Sequence, residues 1–242
     1  MQNEFPIWIR DEYNKIVGSI LSILSCIGNS GIHENELFNE KICLKNTKLK
    51  AFFKHALELM TQQKEKGFMK IGVTEVSPRA IQRAAEKKFK GGYYCCEALM
   101  SAIREEFKLD VPEEVIAMTS GMAVGAGKSG CACGAFNGGI LALGMFFGRT
   151  EQKGPTDPKS IKCMELTHEL HDWFKKANGK NAICCRILTK EFNMGQGEHK
   201  EQCIYFTGLC AWKVAQIVCR ELGIKNLDEI DEPAERRTIA EI

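Results

Sequence analysis

No C-x-x-C pair occurs in this sequence, although 12 of its 242 residues are cysteine. That absence excludes the tight knuckles of a zinc ribbon or a bacterial ferredoxin, and the thioredoxin-type redox motif. Without C-x-x-C-H, covalent haem of the usual kind is excluded too. Long apolar runs are also missing: the longest candidate, Ala135 to Gly148, is shorter than the roughly 18 residues of a membrane span. Neither sign of charge dominates, with 33 Lys and Arg against 31 Asp and Glu, so nothing draws the whole chain toward nucleic acid or a membrane. The first residues, MQNEFPIWIRDEYNK, lack the basic-then-apolar build of a signal peptide. The expectation is a cytoplasmic protein whose thiols stay reduced.

What is present is an ordinary globular composition, 44% hydrophobic and 26% charged, long enough to bury a core without staples. Cysteine is the outlier, and in a reducing compartment clustered cysteines favour metal or redox chemistry over structural bridges. They fall at 95/96, 131/133, 184/185 and 203 on separate expected elements. Vicinal pairs are poor disulfides because adjacent residues must strain to bridge.

Residues 1–88 hold only Cys26 and Cys43. Apolar spacing predicts helices over Ile16–Ile27 and Thr47–Glu65, with a shorter one between, followed by a small extended pair in FMKIGVTEV. That order is the order of a winged-helix module, and Lys45, Lys48, Lys50 and Lys54 are candidates to face phosphates. A helical docking module with a solvated lysine face is the favoured alternative. Residues 89–242 read as a cysteine-rich, all-helical redox domain. The fold class is mainly α: a helical bundle preceded by the small N-terminal module.

Within the second part, Ser77-Pro78 starts a helix to Phe89, Tyr93–Phe107 is amphipathic, and Asp110 caps a helix running to about Met122. The run Gly121–Gly130 fails as a P-loop, with five residues where four are needed before Gly127-Lys128-Ser129. Gly125-x-Gly127-x-x-Gly130 fits a dinucleotide pattern but has no strand before it. Gly144 and Gly148 read as helix-packing positions. Helices are expected over Ile161–Ala177, with Cys163 in the core, and over Glu198–Leu222, followed by a short helix and tail from Asp228. His168 and His171 lack a zincin pattern and read as surface histidines. No Ser–His–Asp set or paired catalytic carboxylates can be read, so no enzymatic reaction is assigned.

Four elements in order carry a resemblance: Cys95 in C-C-E-A-L, Cys133-Gly134-Ala135-x-x-Gly138 followed by L-A-L-G, Cys185-Arg186-x-Leu188, and Cys203 at the start of the last long helix. The stretch from Lys90 to Leu222 resembles the redox-active proteins named for their C–GCAxxG–C–C pattern, which is also seen in the cluster-bearing part of split-Soret cytochrome c. The resemblance implies an all-helical fold and an iron–sulfur cluster or another redox-active cysteine site, without haem. Its ligands would be Cys95, Cys133, Cys185 and Cys203, with Cys96, Cys131 and Cys184 as alternates. Gly134 and Gly138 would give the cofactor room and leave backbone N–H groups free for its sulfurs. Expected partners are a redox protein and a second copy of the chain, with nucleic acid less favoured and no membrane. The alternatives are a redox-responsive DNA-binding regulator and a zinc-bound structural domain.

Overall fold

A computed structural model describes residues 69–242 of the chain. The helices expected within residues 16–65, and their lysines, lie outside the described residues. The described part is mainly α, as expected, and its elements belong to one compact unit.

The extended pair expected after Gly67 does not form a ribbon with itself. A two-residue strand, β1 (Glu75–Val76), pairs instead in parallel with β2 (Lys225–Asn226) near the far end of the chain. Residues before it join the helical core: Met69 is buried, the Gly72 N–H donates to the Phe107 carbonyl, and the Lys70 carbonyl accepts from Asp110. Helix α1 (Pro78–Lys90) starts as the sequence predicts, with the Ser77 hydroxyl accepting from the Ala80 N–H at 3.0 Å and proline in the first turn. It buries Ile81, Gln82, Ala85 and Glu86. Helix α2 (Cys95–Glu106) is buried at Cys96 and from Ala98 through Ile103.

The helix expected over Asp110–Met122 is broken. Only α3 (Glu114–Ala117) is α-helical, followed by a 3-10 turn at Ser120–Met122. Asp110 is not its cap. The Thr119 hydroxyl takes the Ile116 carbonyl at 2.7 Å, and such local side-chain bonds compete with helix continuation. Helices α4 (Gly134–Phe147) and α5 (Pro158–Ala177) follow; Asp157 caps α5 by accepting from the Ser160 N–H at 3.1 Å. A single turn, α6 (Cys185–Leu188), leads to α7 (Lys200–Leu222), the central helix. Ile204, Leu209, Cys210, Ala211, Val214, Ala215, Ile217 and Val218 are all buried, so α7 is apolar nearly all round and forms the axis of the core. It packs on α1, α2, α4 and α5.

Small residues set these approaches, at other positions than the sequence suggests. Gly144 has open space around it, and Gly148 sits against its own helix at the Gly144 carbonyl. Close packing falls instead at Gly139, where a Cβ would lie 2.7 Å from Leu170 Cδ2, and at Gly208, where it would lie 2.8 Å from the Cγ atoms of Gln82 and Glu86. Cys163 is half-buried rather than in the core.

The tail beyond Asp228 forms no helix, contrary to expectation, but is fastened to α1. The Asp228 carboxylate accepts from Ser77 Oγ and from the Arg79 N–H at 2.8 Å. Gln82 and Ala234 exchange hydrogen bonds at 2.9 and 2.7 Å, and Arg237 pairs with buried Glu86 at 2.9 Å. These contacts satisfy the polar groups that α1 buries against α7. Gly208→Ala would push both hydrogen-bonded side chains aside. Urea denaturation should show a loss of about 1–3 kcal/mol, whereas Gly144→Ala should be neutral or stabilising.

Candidate metal centre

Each of the four cysteines of the motif stands at the start of a different helix. Cys95 is the first residue of α2, Cys133 is the N-cap of α4, Cys185 is the first residue of α6, and Cys203 lies in the first turn of α7. Helix starts carry unpaired N–H groups and the positive end of the backbone dipole, and both favour a thiolate. The N–H groups of Ala135 and Phe136 lie near enough to the Cys133 sulfur to favour its charged form, although the thiol makes no capping hydrogen bond. Those of Val124 and Cys96 do the same for Cys95. Helix α6 is one turn long, and its N–H groups are taken by the carbonyls of Gly130, Cys131 and Cys184, so it offers Cys185 neither a full dipole nor free donors.

The structure brings these four thiols within electrostatic reach of one another. Burial, then Cys95 and Cys185, push Cys133 up to about 12. Burial, then Cys133, Cys95 and Cys185, raise Cys203. Burial comes first for Cys185 as well, followed by Cys95 and Cys184. Cys95 is raised by its hydrogen bond to Cys96, then by burial. A fifth thiol, Cys210, is raised by burial, Cys133 and Cys95. Sequence reasoning passed over Cys210, although it lies seven residues, two helical turns, beyond Cys203 on α7 and so on the same face.

The alternates have other surroundings. Cys96 is fully buried and donates to the Thr119 carbonyl at 2.9 Å. Cys184 donates to the Gly130 carbonyl at 3.0 Å, and Cys131 is exposed. A short antiparallel bridge between Ala132 and Cys184 aligns the two cysteine segments: the Cys133 N–H donates to the Ile183 carbonyl at 2.7 Å and the Cys185 N–H to the Cys131 carbonyl at 2.6 Å.

Gly134 and Gly138 differ in what they touch. A Cβ on Gly134 would lie 2.1 Å from Cys95 Sγ, so this glycine leaves that sulfur its space. A Cβ on Gly138 would meet the Cys96 Cα at 3.0 Å, which makes it the crossing point of α2 and α4.

Between α3 and α4 the backbone runs left-handed. Val124, Gly125, Ala126, Gly127 and Lys128 all have φ between 52° and 69°. Left-handed turns cost roughly 1–2 kcal/mol for each residue bearing a side chain, and a β-branched valine is a strong outlier there. The turn is closed by the Gly130 N–H to the Val124 carbonyl and the Cys131 N–H to the Gly125 carbonyl. Gly125 is tolerated where no side chain fits, since a Cβ would stand 2.8 Å from the Cys185 Cβ. The glycines that mimic a dinucleotide pattern therefore serve a left-handed turn that lays the Val124 N–H against Cys95. Backbone strain held beside a site is a recognised signature of function.

Among the described residues, the three-ligand grouping whose donor atoms all lie within 4.8 Å of one another is His168, His171 and Asp172; no three cysteine sulfurs gather so tightly. A single zinc ion with sulfur bonds near 2.3 Å would draw its thiolates to roughly 3.8 Å from one another.

Fold and site define a mainly helical protein with a partly buried group of thiols assembled at helix starts. The family model described as "Putative redox-active protein (C_GCAxxG_C_C)" matches residues 93–217, just over half of the chain, and the chain belongs to this redox-active family. No curated protein and no solved structure matches it. No helix among the described residues is long and apolar enough to cross a membrane.

Two measurements follow. Ala126 is exposed and left-handed, so Ala126→Gly should raise stability in urea by about 0.5–1 kcal/mol. The raised thiols bind protons that the unfolded chain releases near pH 9. Metal-free protein should therefore be fully stabilised by them below that pH and should lose stability as pH rises from about 9 toward 12, by up to about 1.4 kcal/mol per unit for each thiol. A thiophilic metal, by displacing the protons, should flatten that slope.

Proposed function

We propose that Cys95, Cys133, Cys185 and Cys203 ligate an iron–sulfur cluster and that the protein carries single electrons between partner proteins. The observation that supports this most strongly is the arrival of four thiols, from four helix starts, at one partly buried place. The surroundings suit such a group: Gly134 leaves space at the Cys95 sulfur, and the Val124, Ala135 and Phe136 N–H groups are donors to thiolate. Bound there, a cluster would supply reversible one-electron storage, with a potential set by burial and by hydrogen bonds to sulfur.

The chain's own residues would then have distinct tasks. The four thiols give up their protons on loading and hold the centre. The N–H groups and the dipoles of the longer helices offset the accumulated negative charge, and more so after reduction. With a cluster held there, the protein would take one electron from a reduced partner and pass it to an oxidised one, with no bond made or broken in the chain. Exposed Tyr94 and Ile187 stand next to Cys95 and within two residues of Cys185, giving a partner apolar surface close to the ligands.

Anaerobically purified protein should contain iron and acid-labile sulfide in matched amounts and show visible charge-transfer absorption. Cys133→Ala should remove most of all three while leaving the helical circular dichroism near that of the parent. Zinc in place of iron, or iron retained in full by the variant, would refute the proposal.

A further inference from the structure

A second set of ligand-type side chains lies outside the thiol centre, on the exposed side of α5. His168 and Asp172 are one helical turn apart and His171 is adjacent, so all three project from the same turn of a 20-residue helix. The His171 Nδ1 lies 2.8 Å from one Asp172 carboxylate oxygen, and the His168 Nε2 lies 3.6 Å from the other. The two imidazoles stack with centroids 6.0 Å apart and planes within 10° of parallel. Their three donor atoms thus fall within 4.8 Å of one another. Metal bonds of 2.0–2.2 Å to imidazole nitrogen and carboxylate oxygen bring neighbouring donors to roughly 3–3.5 Å apart, which small rotations of exposed side chains would reach.

His171 is fixed from behind. Its ring meets the edge of Phe136 at 5.8 Å, and Phe136 itself stacks on Phe174 at 6.2 Å. One ligand is therefore held by the core, Asp172 is paired with it, and the two more exposed side chains can rotate to close on an ion. His168 is three-quarters exposed and Asp172 half exposed, so water can complete the coordination shell.

We propose that His168, His171 and Asp172 form a surface site for a divalent first-row transition metal of the zinc, nickel or cobalt type, distinct from the thiol centre. Two imidazoles and one carboxylate suit these borderline ions, whereas calcium or magnesium would require more oxygen ligands. The assignment does not depend on what the cysteines hold.

The test uses the anaerobically purified full chain, titrated with Co²⁺ and followed by absorption and by imidazole proton NMR. One equivalent should bind with weak d–d bands that carry no thiolate-to-cobalt charge transfer of their own, whether or not the thiols take up further cobalt. Among the five histidines, the signals of His168 and His171 should be the first perturbed. The double substitution His168→Gln/His171→Gln should weaken this binding at least tenfold, and Asp172→Asn should weaken it measurably. Equal binding by the double variant, or perturbation of other histidines with the signals of His168 and His171 unmoved, would each overturn the proposal.

Discussion

Four sulfurs gathered at one place, two buried and two partly buried, is the constraint on which this structure turns. Burial first, then charge on neighbouring thiols, raises Cys133, Cys185 and Cys203, while Cys95 is raised first by its hydrogen bond to Cys96 and then by burial. Such a cluster of protonated thiols is a poor use of a core unless something cationic draws the sulfurs into their charged form. Under the proposed reading, backbone N–H groups at the starts of α2 and α4 favour that state at Cys95 and Cys133. N–H groups that would be orphans elsewhere find sulfur as their acceptor.

Much of the surrounding architecture follows from bringing those helix starts together. Helix α7 forms the core axis and carries Cys203 in its first turn. Helices α2 and α4 cross closely at Gly138, which keeps Cys95 and Cys133 side by side, and the Ala132–Cys184 bridge brings Cys185 in. The left-handed turn from Val124 to Lys128 is the most costly piece of backbone, and it delivers an N–H group to Cys95. A conventional turn would be more stable but would leave that donor elsewhere.

Most helices were legible because their signals are local. Ser77-Pro78 starts α1, and the apolar spacing of Ala98, Leu99, Ala102 and Ile103 marks α2. The order of the motif cysteines also separates residues that the fold later unites, and it gives the family. What the sequence concealed is non-local. Nothing around Asp110 announces that its backbone pairs with Lys70, or that Thr119 would end the helix early. The acidic tail has helical composition, yet Asp228, Ala234 and Arg237 find partners on α1 more than 145 residues away. Gly125, Gly127 and Gly130 imitate a nucleotide loop because left-handed backbone and phosphate cradles both require glycine. Cys210 was hidden among apolar neighbours, and only helical periodicity counted from Cys203 could have flagged it.

The central claim is that four particular sulfurs act as one centre while their neighbours do not. Electron paramagnetic resonance of the dithionite-reduced protein tests it most directly when each of the seven cysteines at 95, 96, 131, 133, 184, 185 and 203 is replaced by serine in turn. Replacement of Cys95, Cys133, Cys185 or Cys203 should abolish or reshape the signal, and replacement of Cys96, Cys131 or Cys184 should leave its g-values unchanged. A signal that survives loss of Cys133 or Cys203, or one that vanishes with Cys96 or Cys184, would contradict the account.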